Sequence, residues 1–266
     1  MEDELSVAGE TCAKAWLAAS RAVVAAGGEA YNVKIRVADP LAADAMDAAL
    51  IGEVDAFLKL HRHHPVVTVA NTIFPEAYAR PRSAAELYAS YAGIITRMRR
   101  MTGDWGRYFE RMTLWQTRDG TLNQLDEMIE SMRTQIAAGQ VFGSTFEIAI
   151  YDPVLDRKRR RGRQCLSFLS FKLEKAAGGH RLSLTAVYRN HHYIARGLGN
   201  LIGLGRLMRF VAREAGLGTI GSLTCLSTHA EVDGGAWSKR DAKLLLTRCG
   251  ALAEDQPVTM KVVKVA

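Results

Sequence analysis

The chain has 266 residues, 48% hydrophobic and 24% charged, with four cysteines and a formal net charge of +7. That length and composition fit one large domain with a real core, and exclude a low-complexity chain. Arg157, Lys158, Arg159, Arg160, Arg161 and Arg163 place six positive charges within seven residues. The rest is close to neutral, so the charge implies one basic loop rather than a global nucleic-acid footprint.

The segment Met1 to Leu5 is acidic and no basic region precedes an apolar stretch, which argues against a secretory signal. No apolar run reaches the roughly 18 residues that span a bilayer. The expectation is a cytoplasmic protein with no membrane partner. Residues 11 to 26 predict a helix stopped by Gly27 and Gly28. Residues 31 to 37 predict a strand, and 41 to 60 a second helix. After Pro65, the β-branched run Val66, Val67, Thr68, Val69 reads as a strand or an extended segment. Residues 83 to 101 and 122 to 134 read as helices, the latter from Leu122, Leu125, Met128, Ile129 and Met132 at helical spacing. Strands follow at 145 to 151, 165 to 173 and 181 to 188, with Gly178-Gly179 as the turn between the last two. Residues 200 to 215 form an apolar helix whose Gly203 and Gly205 permit close packing. Further strands are expected at 219 to 229 and 258 to 265. With no internal repeat and no linker, the fold class is α/β (α+β): a single domain, 1 to 266, with a large mixed sheet and flanking helices.

Cys12, Cys165, Cys225 and Cys249 have no CxxC spacing, so neither a zinc site nor a disulfide framework is expected, and no metal is assigned. Cys12, Cys225 and Cys249 read as core residues. Cys165 differs: it opens a strand directly after the arginine-rich loop, and nearby cations favour a thiolate, the form that acts as a nucleophile. Two more polar stretches interrupt apolar elements: Tyr188-Arg189-Asn190-His191-His192, leading to Gly199-Asn200, and Ser227-Thr228-His229-Ala230-Glu231. His61, His63 and His64 read as solvated loop histidines.

The order and spacing of these stretches resemble the thymidylate synthase family over roughly residues 85 to 266. In that family a cysteine opens a strand, an arginine-bearing segment runs into an Asn-containing helix, and a His-x-Tyr motif follows. Here Cys165 falls on the nucleophile, Arg189 on the arginine 24 residues on, and Asn200 on the base-reading asparagine 11 residues later. His229 falls on the motif histidine, with Glu231 in place of the tyrosine. Gly103-Asp104-Trp105-Gly106-Arg107-Tyr108 and Leu122-Asn123-Gln124-Leu125 resemble two upstream segments of the family.

The resemblance implies one-carbon transfer, a methylation or hydroxymethylation, to C5 of a pyrimidine nucleotide or related base. It also implies a reduced folate (methylenetetrahydrofolate) as donor and a homodimer that pairs its sheets. Cys165 and Arg189 would be catalytic. Glu76 is assigned as the general acid/base carboxylate. Asn200, His229, Glu231, His192 and Arg163 would bind substrate. The chain departs from the family where two phosphate arginines fall on Thr145 and Phe146, where His192 replaces an aspartate, and in lacking the C-terminal lid. These departures imply the alternative: an inactive homologue that binds a nucleotide, a protein or, through the 157 to 163 loop, nucleic acid.

Overall fold

A computed structural model describes residues 5–79, 83–97, 107–158, 164–232 and 235–253. In chain order the elements are β1 (Ser6–Gly9), α1 (Cys12–Ala25), β2 (Glu29–Val37), α2 (Ala45–Leu60), α3 (Val66–Ile73), α4 (Glu76–Ala79), α5 (Ala84–Arg97), α6 (Tyr108–Thr113), β3 (Trp115–Gln116), β4 (Thr121–Leu122), α7 (Gln124–Ala137), β5 (Glu147–Ala149), β6 (Leu166–Ala176), β7 (Gly179–Tyr188) and β8 (His191–His192). A π-helical turn (Tyr193–Gly197) then leads into α8 (Leu198–Glu214), β9 (Thr219–Glu231) and α9 (Lys239–Ala253). The molecule is mixed α/β, with one large mixed sheet and flanking helices. The expected strand at 258 to 265 lies outside the described residues.

The large sheet runs β1-β2-β9-β7-β6-β5, with β8 beside the end of β9. β1 and β2 are parallel, as are β7 and β9; the other neighbours on this path are antiparallel. Register fixes which residues share a face. One cross-strand row is Leu169, Ala186, Cys225 and Ile35, and the row beside it is Phe171, Leu184, Leu223 and Val37. All eight are buried in one apolar core, against helices led by α1 and α8. The opposite face carries Phe168, Val187, Leu226 and Lys34 in one row, and Ser170, Thr185, Thr224 and Arg36 in the next. None of these eight is buried.

The run Val66 to Val69, expected as a strand or an extended segment, is the first turn of α3. Two contacts override its β-propensity. The Asp55 carboxylate accepts the Val66 N–H at 2.7 Å, satisfying a donor at the helix start. Val66, Val69, Ala70 and Ile73 then form a buried stripe at helical spacing. That stripe lies on α8 where glycine makes close approach possible. A Cβ on Gly199 would sit 2.6 Å from Val69 Cβ, and one on Gly203 2.7 Å from the Ala70 carbonyl oxygen. Gly203→Ala is therefore expected to force the two helices apart, costing about 1–3 kcal/mol in chemical denaturation. An unchanged midpoint would show that the pair is not tightly packed.

The turn just ahead of the basic run is held by a buried ion pair. Asp156, just before that run, receives Arg111 of α6 in a two-pronged pair, Nη1–Oδ2 at 2.7 Å and Nη2–Oδ1 at 2.9 Å. Both side chains are buried. The run beyond Lys158, including Arg163, lies outside the described residues.

Candidate active site

β6 begins one residue after Cys165, and β7 ends one residue before Arg189. The antiparallel pairing of Leu166 with Tyr188 therefore sets Cys165 and Arg189 side by side. The Arg189 backbone N–H donates to the Cys165 carbonyl at 3.0 Å. The Arg189 Nε donates to the Gln164 carbonyl at 2.9 Å, which turns the guanidinium back toward the start of β6. None of the four cysteines forms a disulfide; Cys165 is partly buried and the other three fully so. Burial pushes the thiols of Cys12, Cys225 and Cys249 up to about 12, which keeps them protonated.

Phenols wall this end of β6. The Tyr108 hydroxyl is hydrogen-bonded to the backbone at Cys165 and Leu166, and burial holds its pKa well above the usual tyrosine value. Its ring meets that of Tyr188 edge-on at 6.5 Å. Tyr188 stacks flat on His191, with centroids 4.0 Å apart and planes 6° apart.

His191 is fully buried between defined partners. Its Nδ1 lies 3.0 Å from Ser227 Oγ, and its Nε2 lies 3.0 Å from Asn200 Nδ2. The Tyr193 hydroxyl also donates to Ser227, at 3.2 Å. Burial pushes the imidazole down to about 3, so it stays neutral. An unfolded histidine takes up a proton near pH 6.5, whereas this one resists until about 3. Between those values the unfolded chain holds more protons, so acidification removes stability. His191→Gln should lessen the loss between pH 6.5 and 3 by an amount on the order of a few kcal/mol. Parallel denaturation curves for variant and parent would contradict this.

A second polar group lies at the ends of β7 and β9 and the start of β2. Asn190 Nδ2 donates to Glu231 Oε1 at 3.1 Å, and Asn190 Oδ1 is in close contact with His229 Nδ1. His229 Nε2 lies 2.7 Å from Glu29 Oε1, which also accepts from the Tyr31 hydroxyl at 2.9 Å. His192 Nδ1 is 3.0 Å from Glu231 Oε1, close but not aligned as a hydrogen bond. Burial lowers the His192 pKa; the Glu231 carboxylate opposes that shift, while Arg196, His229 and Arg189 add to it.

The structure thus brings Cys165, Arg189, Asn200, His192, His229 and Glu231 to one end of the sheet. It does not bring Glu76 there. That carboxylate accepts Arg209 Nη2 on both oxygens, at 2.6 and 2.7 Å, on the C-terminal half of α8. Glu76 lines a separate cleft of about 260 Å³ with Cys12, Asp47, Ile202 and Arg206. The sequence singles out the stretches that hold Tyr108, Tyr188, His191 and Ser227 but gives these four no role in the site, and it does not point to Glu29. The π-helical turn was a signal only in the structure; such turns gather at functional sites. Among the described residues no set of three acidic, cysteine or histidine side chains is placed to hold a metal ion. No described helix is long and apolar enough to cross a membrane.

The chain matches no protein-family model, and comparison with curated proteins returns no match.

Proposed function

We propose that the chain is a divergent thymidylate synthase-like enzyme that activates C5 of a pyrimidine nucleotide by adding the Cys165 thiolate to C6. The observation that carries this reading is the juxtaposition of Cys165 with Arg189 across β6 and β7, with Asn200 at the start of α8 at the same end. Addition forms an S–C6 bond and moves the C5–C6 π pair toward O4, leaving C5 nucleophilic. Asn200, with one amide donor and one acceptor, suits the O4 and N3–H edge of a uracil-like ring. Arg189 offers a fixed cation to the thiolate or to a substrate anion. After C5 takes up its substituent, a base removes the C5 proton and the thiolate leaves. Glu231 replaces Glu76 in this scheme, because it is the carboxylate set beside His192 and Asn190.

The one-carbon donor is a second ligand. By the resemblance it would be a reduced folate. The row of Phe168, Val187 and Leu226 on the sheet face opposite the core, with Phe168 38% exposed, supports a homodimer that pairs the sheets.

The test is a 5-fluoropyrimidine nucleotide incubated with the protein. An adduct on the peptide containing Cys165, seen by mass spectrometry, supports the reading; unmodified Cys165 at saturating ligand refutes it.

A second reading is favoured by a specific observation. Asn190, His229, Glu29 and Glu231 are bonded to one another, and the Arg189 Nε to Gln164, so these groups are already engaged. A catalytically silent protein that binds a nucleotide, a protein partner or nucleic acid through the 157 to 163 loop would keep such a cluster. Thermal stabilisation by nucleic acid, with none by nucleotides, would favour it.

A further inference from the structure

Asn200 is buried, and its side-chain amide can take either of two orientations. Turned one way it offers a carbonyl where the other way it offers an N–H. What fixes the turn is the residue behind it. We propose that His191 is a positioning residue that locks the Asn200 amide in one orientation, through a hydrogen-bond relay running to Cys225, and thereby sets which pyrimidine edge the site accepts.

The relay follows from counting donors. The Tyr193 hydroxyl donates to Ser227 Oγ at 3.2 Å. Ser227 in turn is hydrogen-bonded to the buried Cys225 thiol. His191 Nδ1 faces Ser227 Oγ at 3.0 Å and the Cys225 sulfur at 3.9 Å, while the Asn200 amide nitrogen, which can only donate, faces Nε2. His191 therefore carries its proton on Nδ1, and Nε2 presents a lone pair. The Asn200 Nδ2, 3.0 Å away, donates one hydrogen to that lone pair. The flat stack on Tyr188 holds the imidazole plane, and Tyr193 meets it edge-on at 5.1 Å. The Tyr193 backbone is pinned as well, since its carbonyl accepts the Trp16 indole N–H at 2.7 Å.

The lock has a direct chemical consequence. One Asn200 N–H is held by His191, leaving Oδ1 and the second N–H. These match a ring edge with one N–H donor and one carbonyl acceptor, as in uracil. A cytosine edge reverses donor and acceptor and needs the amide turned over. The turned amide would aim Oδ1 at the Nε2 lone pair, acceptor against acceptor. Relieving that clash would require moving the imidazole proton to Nε2 and reversing Ser227 as well, all inside a buried core where unpaired polar groups are costly. The preference for a uracil-type ligand thus originates in a residue that touches no ligand.

The ligand consequence rests on the assignment of Asn200 as the ring-reading residue; the lock itself does not. Two measurements keep them apart. In the ligand-free protein, nitrogen NMR of the imidazole should report His191 as the Nδ1–H tautomer, and one Asn200 side-chain N–H should exchange slowly. An Nε2–H tautomer, or two rapidly exchanging Asn200 hydrogens, overturns the lock. Calorimetric titration with dUMP and dCMP reads the consequence. Wild type should prefer dUMP by about tenfold or more. His191→Phe keeps the stack but removes the acceptor, and should bring the preference near unity. His191→Gln returns an acceptor and should restore most of it. An undiminished preference in His191→Phe overturns the proposal. If wild type binds neither nucleotide, the pyrimidine reading fails and the spectroscopic result alone decides the lock.

Discussion

Cys165→Ser should abolish the covalent adduct with a 5-fluoropyrimidine nucleotide and lower turnover of the true substrate by at least about a thousandfold. The serine is nearly isosteric, so the phenolic wall of Tyr108 and Tyr188 should keep its packing. What changes is nucleophilicity: a serine hydroxyl is far less acidic than a thiol, and its oxygen is the weaker nucleophile. Arg189 cannot repair this, because its Nε is held at 2.9 Å by the Gln164 carbonyl. The other cysteines cannot substitute, since burial pushes their thiols up to about 12. Nucleotide binding should survive in Cys165→Ser within a few-fold, because Asn200 and the relay behind it are untouched. Full turnover in the serine variant would sink the thiolate mechanism and leave the silent, binding-only reading in possession of the site.

Removing Asp156 should be the most damaging single change to stability among those considered. Arg111 and Asp156 are 7% and 1% exposed, and their two-pronged pair is completed by the Ile150 carbonyl on Nη1 at 3.0 Å. Asp156 also accepts the Asp152 N–H at 2.9 Å, which closes the turn ahead of the basic run. Asp156→Ala takes this carboxylate from a buried guanidinium and costs about 3–5 kcal/mol. For a chain of this size that corresponds to a Tm lower by about 10 °C. The double variant Arg111→Met with Asp156→Ala removes both charges and should recover much of the loss. A double variant as unstable as Asp156→Ala would mean that the turn, not the buried charge, is what matters.

The sequence made some of this legible and hid the rest for physical reasons. Alternation and turn glycines placed the hairpin of β6 and β7 within a few residues, because Gly178 and Gly179 adopt positive φ, 81° and 142°. The positions of Cys165, Arg189 and Asn200 at element boundaries were readable from spacing. α3 was misread as a strand or an extended segment because its first four residues are mostly β-branched, and its helicity depends on Gly199 and Gly203 far along the chain. Residues 239 to 253, which form α9, gave no recognised helix signal. His191 was invisible as a positioning group, since its role comes from neighbours 9 and 36 residues away, Asn200 and Ser227. Glu76 was assigned from its local setting after Pro75, and local setting carries no information about which end of α8 it faces.

The pairing of β2 with β9 bears on how the chain folds. β2 is made early, yet its antiparallel neighbour arrives about 190 residues later, and Glu29 meets His229 across a separation of 200. Until then β2 holds one long ladder edge open, an edge that invites mispairing with another chain. The sheet therefore closes late in folding, at the cost of a large loop entropy. The polar groups at its end, with Glu29 supplied by the first strand of that pair, are assembled in the same late event. A chain halted before β9 would carry Cys165 and Arg189 but could not yet carry the site.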